Sequence, residues 1–270
     1  MATPFKPPSV DKLASVDVAD GEYNKDCEDI QGLVSPSSQG GWEGAGDYKV
    51  HCFSLSAWRR VGGPLVRQEL TVLRPAPDYE WSAYPELTIH RLRVLLSKDQ
   101  TRAVFANALK MAESDDELLA VAEELRKPVV IPTARFGNLT LDRSIGWFRG
   151  KVEWNRVLIE ISFSSDDGKT IVDGLTTADA LWNDQAGWKR KVDEYAVQEL
   201  LPVKNDYWLD DDEEPLTPEQ FKARMTLDSI SLSSTGEFEF WHDDGDLFLG
   251  HSIQISGSLT DGLTRADIPG

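Results

Sequence analysis

The residues whose types and spacing could do chemistry are concentrated in one short segment near the C-terminus. The segment contains Asp243, Asp244, Asp246, His242 and His251. Carboxylates and imidazoles are suitable ligands for divalent cations, and a cation would relieve the repulsion between closely spaced carboxylates. One hypothesis is therefore a metal-assisted hydrolase, with the aspartates as metal ligands and the two histidines as catalytic groups. Aspartate is also common in turns for backbone reasons, and the spaced ligands of a calcium-binding loop are missing, so the alternative is a structural turn.

The element that must position these residues is a β-hairpin. Asp-Gly between two alternating segments is typical of a two-residue type I′ turn. With Asp244 and Gly245 as the loop residues, Phe240 lies opposite Leu249. One face of the hairpin is then apolar and is predicted to be buried: Phe238, Phe240, Leu247, Leu249, Ile253 and Ile255, with His242 and His251. The other face is predicted to be half-solvated: Glu237, Glu239, Trp241, Phe248, Ser252 and Gln254. The aspartates then belong to the turn and His251 to the strand beyond it, so they could converge only with help from another element.

The chain is strongly acidic, with a net charge of −18 over 270 residues. Residues 1–142 hold 16 basic against 21 acidic residues (−5), and residues 143–270 hold 12 against 25 (−13). Phosphate backbones would be repelled by the C-terminal half, so nucleic acid is not an expected partner. The charge fits a basic protein partner, a divalent cation or solubility alone. No cofactor is predicted apart from the cation that the hydrolase hypothesis would need.

The sequence indicates a soluble, cytoplasmic protein without a membrane partner. It has no apolar run near the ~18 residues of a membrane span, and its first residues lack the apolar core of a signal peptide. The two cysteines, Cys27 and Cys52, form neither a disulfide framework nor a metal-ligand pattern. Such cysteines are typical of reduced thiols in the cytosol.

Turn signals and periodicity predict an α+β protein with two domains behind an N-terminal arm. The polar, proline-bearing residues 1–29 form the flexible arm, and residues 30–127 form a β-rich domain that ends in two helices. Its strands are predicted at Val50–Leu55, Leu70–Leu73 and Thr88–Leu96. The apolar spacing predicts the first helix over Asp99–Ala112. A capping box, Ser114-Asp115-Asp116-Glu117, begins the second.

Residues 128–270 are predicted to form a C-terminal domain with an antiparallel sheet, a long helix and the hairpin. Four strands of a meander come first: Val129–Ile131, Leu139–Leu141, Trp147–Val152 and Val157–Phe163. A helical region from Thr177 to Leu201 follows, with a break near Gly187. Thr217-Pro218-Glu219-Gln220 is typical of a helix start, and a strand over Leu227–Leu232 leads into the hairpin.

From about residue 128 onward the chain resembles a bacterial family described only as domain of unknown function 2262. The resemblance rests on Phe136-Gly137-Asn138-Leu139 with Leu141, Trp147-Phe148-Arg149-Gly150, Val152-Glu153-Trp154, Trp188, Asn205 with Trp208, Phe221, Asp244-Gly245-Asp246-Leu247-Phe248, Gly250-His251 and Ile253. It implies a fold unit for this half of the chain and no mechanism. Small acidic proteins of this kind also resemble some immunity or accessory proteins of bacterial toxin systems.

A second candidate site is the acidic run that follows Trp208. The run consists of Asp210, Asp211, Asp212, Glu213 and Glu214. These carboxylates would attract a basic protein, and the tryptophan could serve as an apolar anchor. No nucleophile elbow occurs, and Cys52 has no histidine on its own strand face, so no catalytic constellation is recognised. We therefore predict a protein-binding module, one form of which is an immunity or accessory protein. The metal-assisted hydrolase and a scaffold within an assembly are the alternatives.

Overall fold

A computed structural model describes residues 22–36, 40–43, 48–77, 84–110, 114–165, 170–209 and 214–270. Within these residues the chain forms fourteen β-strands and four α-helices, a strand-rich member of the α+β class. The chain divides into two units, Met1–Pro128 and Val129–Gly270. No helix among the described residues is both long enough and apolar enough to cross a membrane.

The first unit is a small β-barrel with an additional edge strand. Its strands are β1 (Glu28–Val34), β2 (Gly40–Glu43), β3 (Tyr48–Arg60), β4 (Leu70–Pro77), β5 (Ile89–Leu96) and β6 (Arg102–Leu109). They lie in the order β1-β5-β6-β4-β3-β2, and β1 also pairs with β3, which closes a ring of five strands. The β4–β6 pair is parallel. Closure gives each of the five ring strands a ring partner on both sides, and β2, which pairs with β3, is left at the edge.

The side chains that fill the barrel interior account for the strand conformation of these segments. Its buried core consists of Ile30, Val34, Phe53, Leu55, Trp58, Leu70, Val72, Leu92, Val94, Leu96, Ala103 and Phe105. The predicted segments Val50–Leu55, Leu70–Leu73 and Thr88–Leu96 fall in β3, β4 and β5 and are confirmed apart from Thr88, which precedes β5. The side chains alternate between the packed interior and the outside, which is the geometry that β-branched and aromatic residues fit best.

The helix predicted over Asp99–Ala112 is wrong, because the segment Arg102–Leu109 is strand β6. Its apolar residues fit a helical stripe, but a short apolar run is equally compatible with a buried strand. The segment pairs with β5 on one side and with β4 on the other, and this pairing makes it a strand. The second helix is confirmed as α1 (Asp116–Arg126), although its N-cap is Asp115 rather than Ser114.

The expected flexible arm, residues 1–29, lies outside the described residues as far as residue 21. From residue 22 onward it belongs to the barrel unit. Tyr23 is buried and forms an isolated bridge with Ser97, and β1 begins at Glu28. Its C-terminal part is therefore not an arm.

The second unit is an eight-stranded sheet with helices packed against it. Its strands are β7 (Val130–Thr133), β8 (Gly137–Asp142), β9 (Trp147–Trp154), β10 (Val157–Ser164), β11 (Thr226–Leu232), β12 (Glu237–Asp243), β13 (Ser252–Ser258) and β14 (Gly262–Asp267). They lie in the order β14-β13-β12-β11-β10-β9-β8-β7. The predicted four-strand meander is confirmed as β7–β10, and a second meander, β11–β14, joins it through the parallel β10–β11 pair. The sheet is thus two antiparallel meanders joined along one parallel seam.

Three helices connect the two meanders: α2 (Val172–Asn183), α3 (Gln185–Tyr207) and α4 (Pro218–Arg224). The predicted break in the helical region exists, but it falls at Asp184 rather than at Gly187. Asp184 caps α3 by accepting a hydrogen bond from the Gly187 amide, at 3.1 Å. The predicted start of α4 is confirmed as a complete capping box between Thr217 and Gln220.

The helices and one face of the sheet enclose an aromatic core. It includes Phe136, Phe148, Trp154, Phe163, Trp188, Phe221, Phe238, Phe240 and Phe248. Trp188 packs edge-on against Phe238, with 5.1 Å between the ring centroids, and Trp154 packs against Phe240 at 5.7 Å. Trp188 is a core residue of this unit, which is why α3 is held against the sheet.

Candidate functional site

The hairpin that carries the candidate residues has a wider loop than the sequence predicted. β12 pairs with β13 so that Phe240 lies opposite Ile255, not Leu249, and residues 244–251 form the loop. The shift is an even number of residues, so each strand residue keeps its predicted face. The buried apolar face is confirmed for Phe238, Phe240, Ile253 and Ile255, with His242 among them.

Three hairpin residues lie elsewhere than predicted because they belong to this loop. Leu249, predicted to be buried, is 77% exposed, and Phe248, predicted to be half-solvated, is fully buried. His251 lies in the loop and not on the strand face. The prediction of a two-residue turn was therefore wrong.

Asp244 organises the loop. Its buried carboxylate accepts hydrogen bonds from three backbone amides: Asp246 at 3.2 Å, Phe248 at 2.6 Å and Gly250 at 3.1 Å. Gly245 has a positive φ of 52°, and a Cβ there would lie 2.5 Å from the Arg224 carbonyl oxygen at the end of α4. The loop is wide because its amides bond to Asp244 instead of to the opposite strand.

The structure does not bring the metal candidates together as a metal site. Asp243 and Asp246 are exposed, and Asp243 accepts a hydrogen bond from the Gly245 amide at 2.9 Å, whereas the Asp244 carboxylate is engaged by the loop. Across the described part of the chain, no three His, Cys, Asp or Glu side chains are grouped so that they could hold a metal ion. His242 and His251 lie in different environments. His242 lines a cavity with Phe240, whereas His251 packs on Trp208.

Trp208 and His251 meet at the C-terminal end of α3. The Trp208 ring lies edge-on to both Phe248 and His251, with 5.6 Å between centroids in each pair. Asp210, Asp211, Asp212 and Glu213 lie outside the described residues, and Glu214 is exposed. Asn205 holds the chain beyond this run, because its side chain exchanges two hydrogen bonds with the Leu216 backbone, at 2.8 and 3.1 Å. Both ends of the acidic run are therefore anchored to α3.

Two exposed apolar side chains accompany Trp208, and the sequence reasoning missed both. Tyr207 is 82% exposed and Leu249 is 77% exposed. Tyr207 adjoins Trp208 in the chain, and Leu249 adjoins Phe248, whose ring packs on Trp208. We call Tyr207, Trp208, Leu249 and Glu214 the α3-end surface. The tyrosine could have been noticed beside Trp208, but Leu249 could not, because the predicted register buried it.

A second feature, also missed, is a cavity of about 220 Å³ in the same unit. Its walls come from the β9–β10 turn, α3 and the strands β11 and β12, and include Trp154, Val157, Val192, Leu227, Phe240 and His242. We call it the His242 cavity. Lys189 and Asp193 also line it, and they form an ion pair with 2.6 Å between Nζ and Oδ2.

His242, which lines this cavity, has an unusually low pKa. Burial, reinforced by the positive charge of Lys189, lowers the pKa of His242 to about 4, so the ring is neutral at neutral pH. Its Nδ1 is buried and makes no hydrogen bond of good geometry, and backbone hydrogen bonds with Ile253 and Phe240 only partly oppose the lowering of the pKa. A buried polar atom without a partner costs roughly 1–3 kcal/mol, which makes this ring a candidate contact for a bound molecule.

We expect His242 to make the protein less stable in acid. The pKa of a histidine in the unfolded chain is about 6.5 and that of folded His242 is about 4, so between these values only the unfolded state gains the proton. The stability present above pH 6.5 is lost as the pH falls toward 4, and this residue accounts for about 2 kcal/mol of loss near pH 5. Denaturant unfolding near neutral pH and near pH 5 should therefore show a smaller difference for His242→Leu than for the wild type. Parallel losses would contradict a buried neutral ring.

Three arginines of the barrel unit are paired with carboxylates. Arg59 pairs with Glu117 at 2.6 Å, Arg67 with Glu124 at 2.7 Å, and Arg93 with Asp29 at 2.7 Å. Arginines that are already paired with carboxylates attract a phosphate backbone less strongly. The small-barrel architecture includes folds that bind oligonucleotides, but a fold alone does not establish a function.

Two family models match the chain. One, described as uncharacterized protein conserved in bacteria (DUF2262), matches residues 133–268, and a domain of unknown function (DUF7021) matches residues 8–125. No curated protein and no solved structure matches the chain. The first match covers half of the 270 residues and contains both the α3-end surface and the His242 cavity. The resemblance of the C-terminal half is thus confirmed, and the protein belongs to the bacterial family of uncharacterized proteins DUF2262.

Proposed function

We propose that the protein is a binding module for a basic protein, and that the partner binds at the α3-end surface. The observations that carry the proposal are the exposure of Tyr207, which is followed in the sequence by Trp208 and a run of carboxylates, and the exposure of Leu249, which follows the Phe248 that packs on Trp208. Large apolar side chains that are exposed together are typical of interaction sites. Trp208, packed against the core on one side, supplies a fixed base for them.

The apolar part of the surface has the composition of an interface centre. Tyrosine and tryptophan are enriched among residues that dominate binding energy, because they bury a large area and keep few rotatable bonds. Trp208 is already oriented by Phe248 and His251, so little conformational entropy remains to be lost there when a partner binds. Tyr207 and Leu249 would be the side chains that enter the partner.

The charges around the surface favour a basic partner. Exposed carboxylates at Asp206, Glu214, Asp243 and Asp246 accompany the run Asp210–Glu213. Complementary charge accelerates encounter and rejects acidic competitors more than it raises affinity. A cationic toxin, such as a nuclease, is a partner of this chemistry, and neutralising it in the cytoplasm is the specific form of the proposal. Neither nucleic acid nor a membrane is part of it.

Affinity capture with surface variants tests the proposal. Immobilised full-length protein should capture a basic protein from lysate of its host bacterium, and less of it as ionic strength rises. Combining Tyr207→Ala with Leu249→Ser should weaken binding of that protein by about tenfold or more, the effect of losing one good apolar contact.

Leu158→Ser is the matched control, since Leu158 is 68% exposed on β10 and lies outside the α3-end surface. It should leave capture unchanged. Capture of an acidic protein, equal capture by the Tyr207/Leu249 variant, or no partner at either low or moderate ionic strength would overturn the proposal.

A further inference from the structure

We propose that the His242 cavity binds a small aromatic molecule that carries a hydroxyl group, a phenol in chemical class. The cavity uses none of the residues of the α3-end surface, so the inference stands independently of the protein-binding proposal. Its size, its walls and the neutral imidazole of His242 each restrict the ligand.

The cavity has room for one small ring. Its volume of about 220 Å³ exceeds the ~150 Å³ of an engineered apolar cavity that takes up benzene, and it is below the usual range for larger organic ligands. Trp154 and Phe240 supply aromatic walls, and their ring centroids are 5.7 Å apart in an edge-to-face arrangement. Val192 and Leu227 line the rest of the space with aliphatic groups. An aromatic ring is the molecule that such walls contact best.

A hydroxyl group complements the hydrogen-bonding groups of His242 better than other polar groups do. Each nitrogen of a neutral imidazole is a donor in one tautomer and an acceptor in the other, and a hydroxyl can complement both. The His242 ring lines the cavity, and its Nδ1 makes no hydrogen bond of good geometry within the protein. A ligand hydroxyl on the imidazole would add a hydrogen bond to a buried polar ring whose hydrogen bonds within the protein are incomplete.

The charged pair in the cavity disfavours an anionic ligand. Lys189 is already matched by Asp193, and the carboxylate of that pair would repel a second one. An anion would also lose its hydration among apolar walls, which is costly without a free cation to receive it. The neutral phenol therefore fits better than the corresponding acid.

The entrance to the cavity is held in shape by a tight turn. Asn155 and Arg156 both have positive φ, 48° and 70°, and form the two-residue turn between β9 and β10. The Asn155 amide donates to Gln185 Oε1 at 2.7 Å, and its side-chain nitrogen donates to the Gln185 carbonyl at 3.2 Å. Val157, just beyond the turn, lines the cavity and is 51% exposed, so it marks the open side.

Titration of the full-length protein with p-cresol, toluene and benzoate, followed by NMR of the histidine rings, tests the inference. The p-cresol complex should have a Kd of about 1 mM or lower, and toluene should bind about tenfold more weakly because it lacks the hydrogen bond. One histidine signal should shift with p-cresol, and His242→Leu should remove that signal and lower the p-cresol affinity to that of toluene.

A matched pair of variants at the entrance keeps the test decisive if His242→Leu does not fold. Val157→Trp should fill the open side and abolish binding of both neutral ligands. Leu158→Trp adds the same bulk at the next residue, on the opposite face of β10, and should leave binding unchanged. Equal affinities for p-cresol and toluene, tighter binding of benzoate, or undiminished binding by Val157→Trp would overturn the inference.

Discussion

Phe240→Ala is expected to lower the free energy of unfolding by roughly 3–5 kcal/mol, which is the usual cost of deleting a buried phenylalanine ring. Phe240 is 1% exposed and packs against Trp154 and Phe238, with 5.7 Å between centroids in each pair. The surrounding strands are fixed by their neighbours in the sheet, so the space left by the ring cannot collapse fully. Denaturant unfolding of the full chain measures the change.

Leu249→Ala is the matched control for that prediction because it separates two registers of the hairpin. With a two-residue turn, Phe240 and Leu249 would be opposite each other and both truncations would be costly. In the observed register Leu249 is exposed, so its truncation should change the free energy of unfolding by less than about 0.5 kcal/mol. A large loss for Leu249→Ala would mean that the loop is narrower than the structure has it.

The second large effect is expected for Asp244→Ala, at roughly 3 kcal/mol of lost stability. Three backbone amides, at residues 246, 248 and 250, donate to this carboxylate, and two of their bonds end on the same oxygen. Hydrogen bonds to a charged group contribute about 1.5–3 kcal/mol each, and the effects of bonds to one carboxylate are not additive. The Phe248 amide is buried and would lose its partner altogether.

Asp243→Ala provides the comparison, since Asp243 is exposed and accepts one hydrogen bond, from Gly245. It should cost less than about 1 kcal/mol. Hydrogen exchange at Phe248 and Gly250 should accelerate in Asp244→Ala and stay slow in Asp243→Ala. Equal effects of the two substitutions would show that Asp244 does not organise the loop.

Features that depend on neighbouring residues could be predicted from the sequence. The meander β7–β10 follows from alternating segments separated by turns, and the capping box of α4 is complete within Thr217–Gln220. The buried face of the hairpin was also predictable, because an even shift of register does not change which side a residue faces. The resemblance of the C-terminal half followed from the same local motifs.

Features that depend on distant partners could not be predicted. Asp-Gly has the local chemistry of a tight turn, yet Asp244 bonds to amides up to six residues away, and Gly245 packs against the end of α4. A two-residue turn with positive φ at both positions does occur at Asn155 and Arg156, where the sequence also indicates a turn. Strand β6 resembled a helix because its apolar spacing suits both structures, and only its pairing with β4 and β5 decides.

The candidate sites show the same difference between features set by neighbouring residues and features set by distant ones. Trp208 and the run of carboxylates are adjacent in the sequence and could be recognised there. The lowered pKa of His242 and the cavity beside it could not, because α3 brings Lys189 and Val192 to a ring that β12 supplies. Leu249 became visible as an exposed apolar residue only once the loop was known.

The parallel seam of the second unit has a consequence for the order of folding. Each meander can form from successive hairpins, whereas β10 and β11 can pair only after the whole helical segment between Ser164 and Thr226 has closed into a loop. The entropy of loop closure rises with loop length, so the seam should form after the hairpins and limit the folding rate. Until it forms, two half-sheets with open edges coexist in one chain. Those edges, β10 and β11, are the strands through which unfinished molecules would pair with one another.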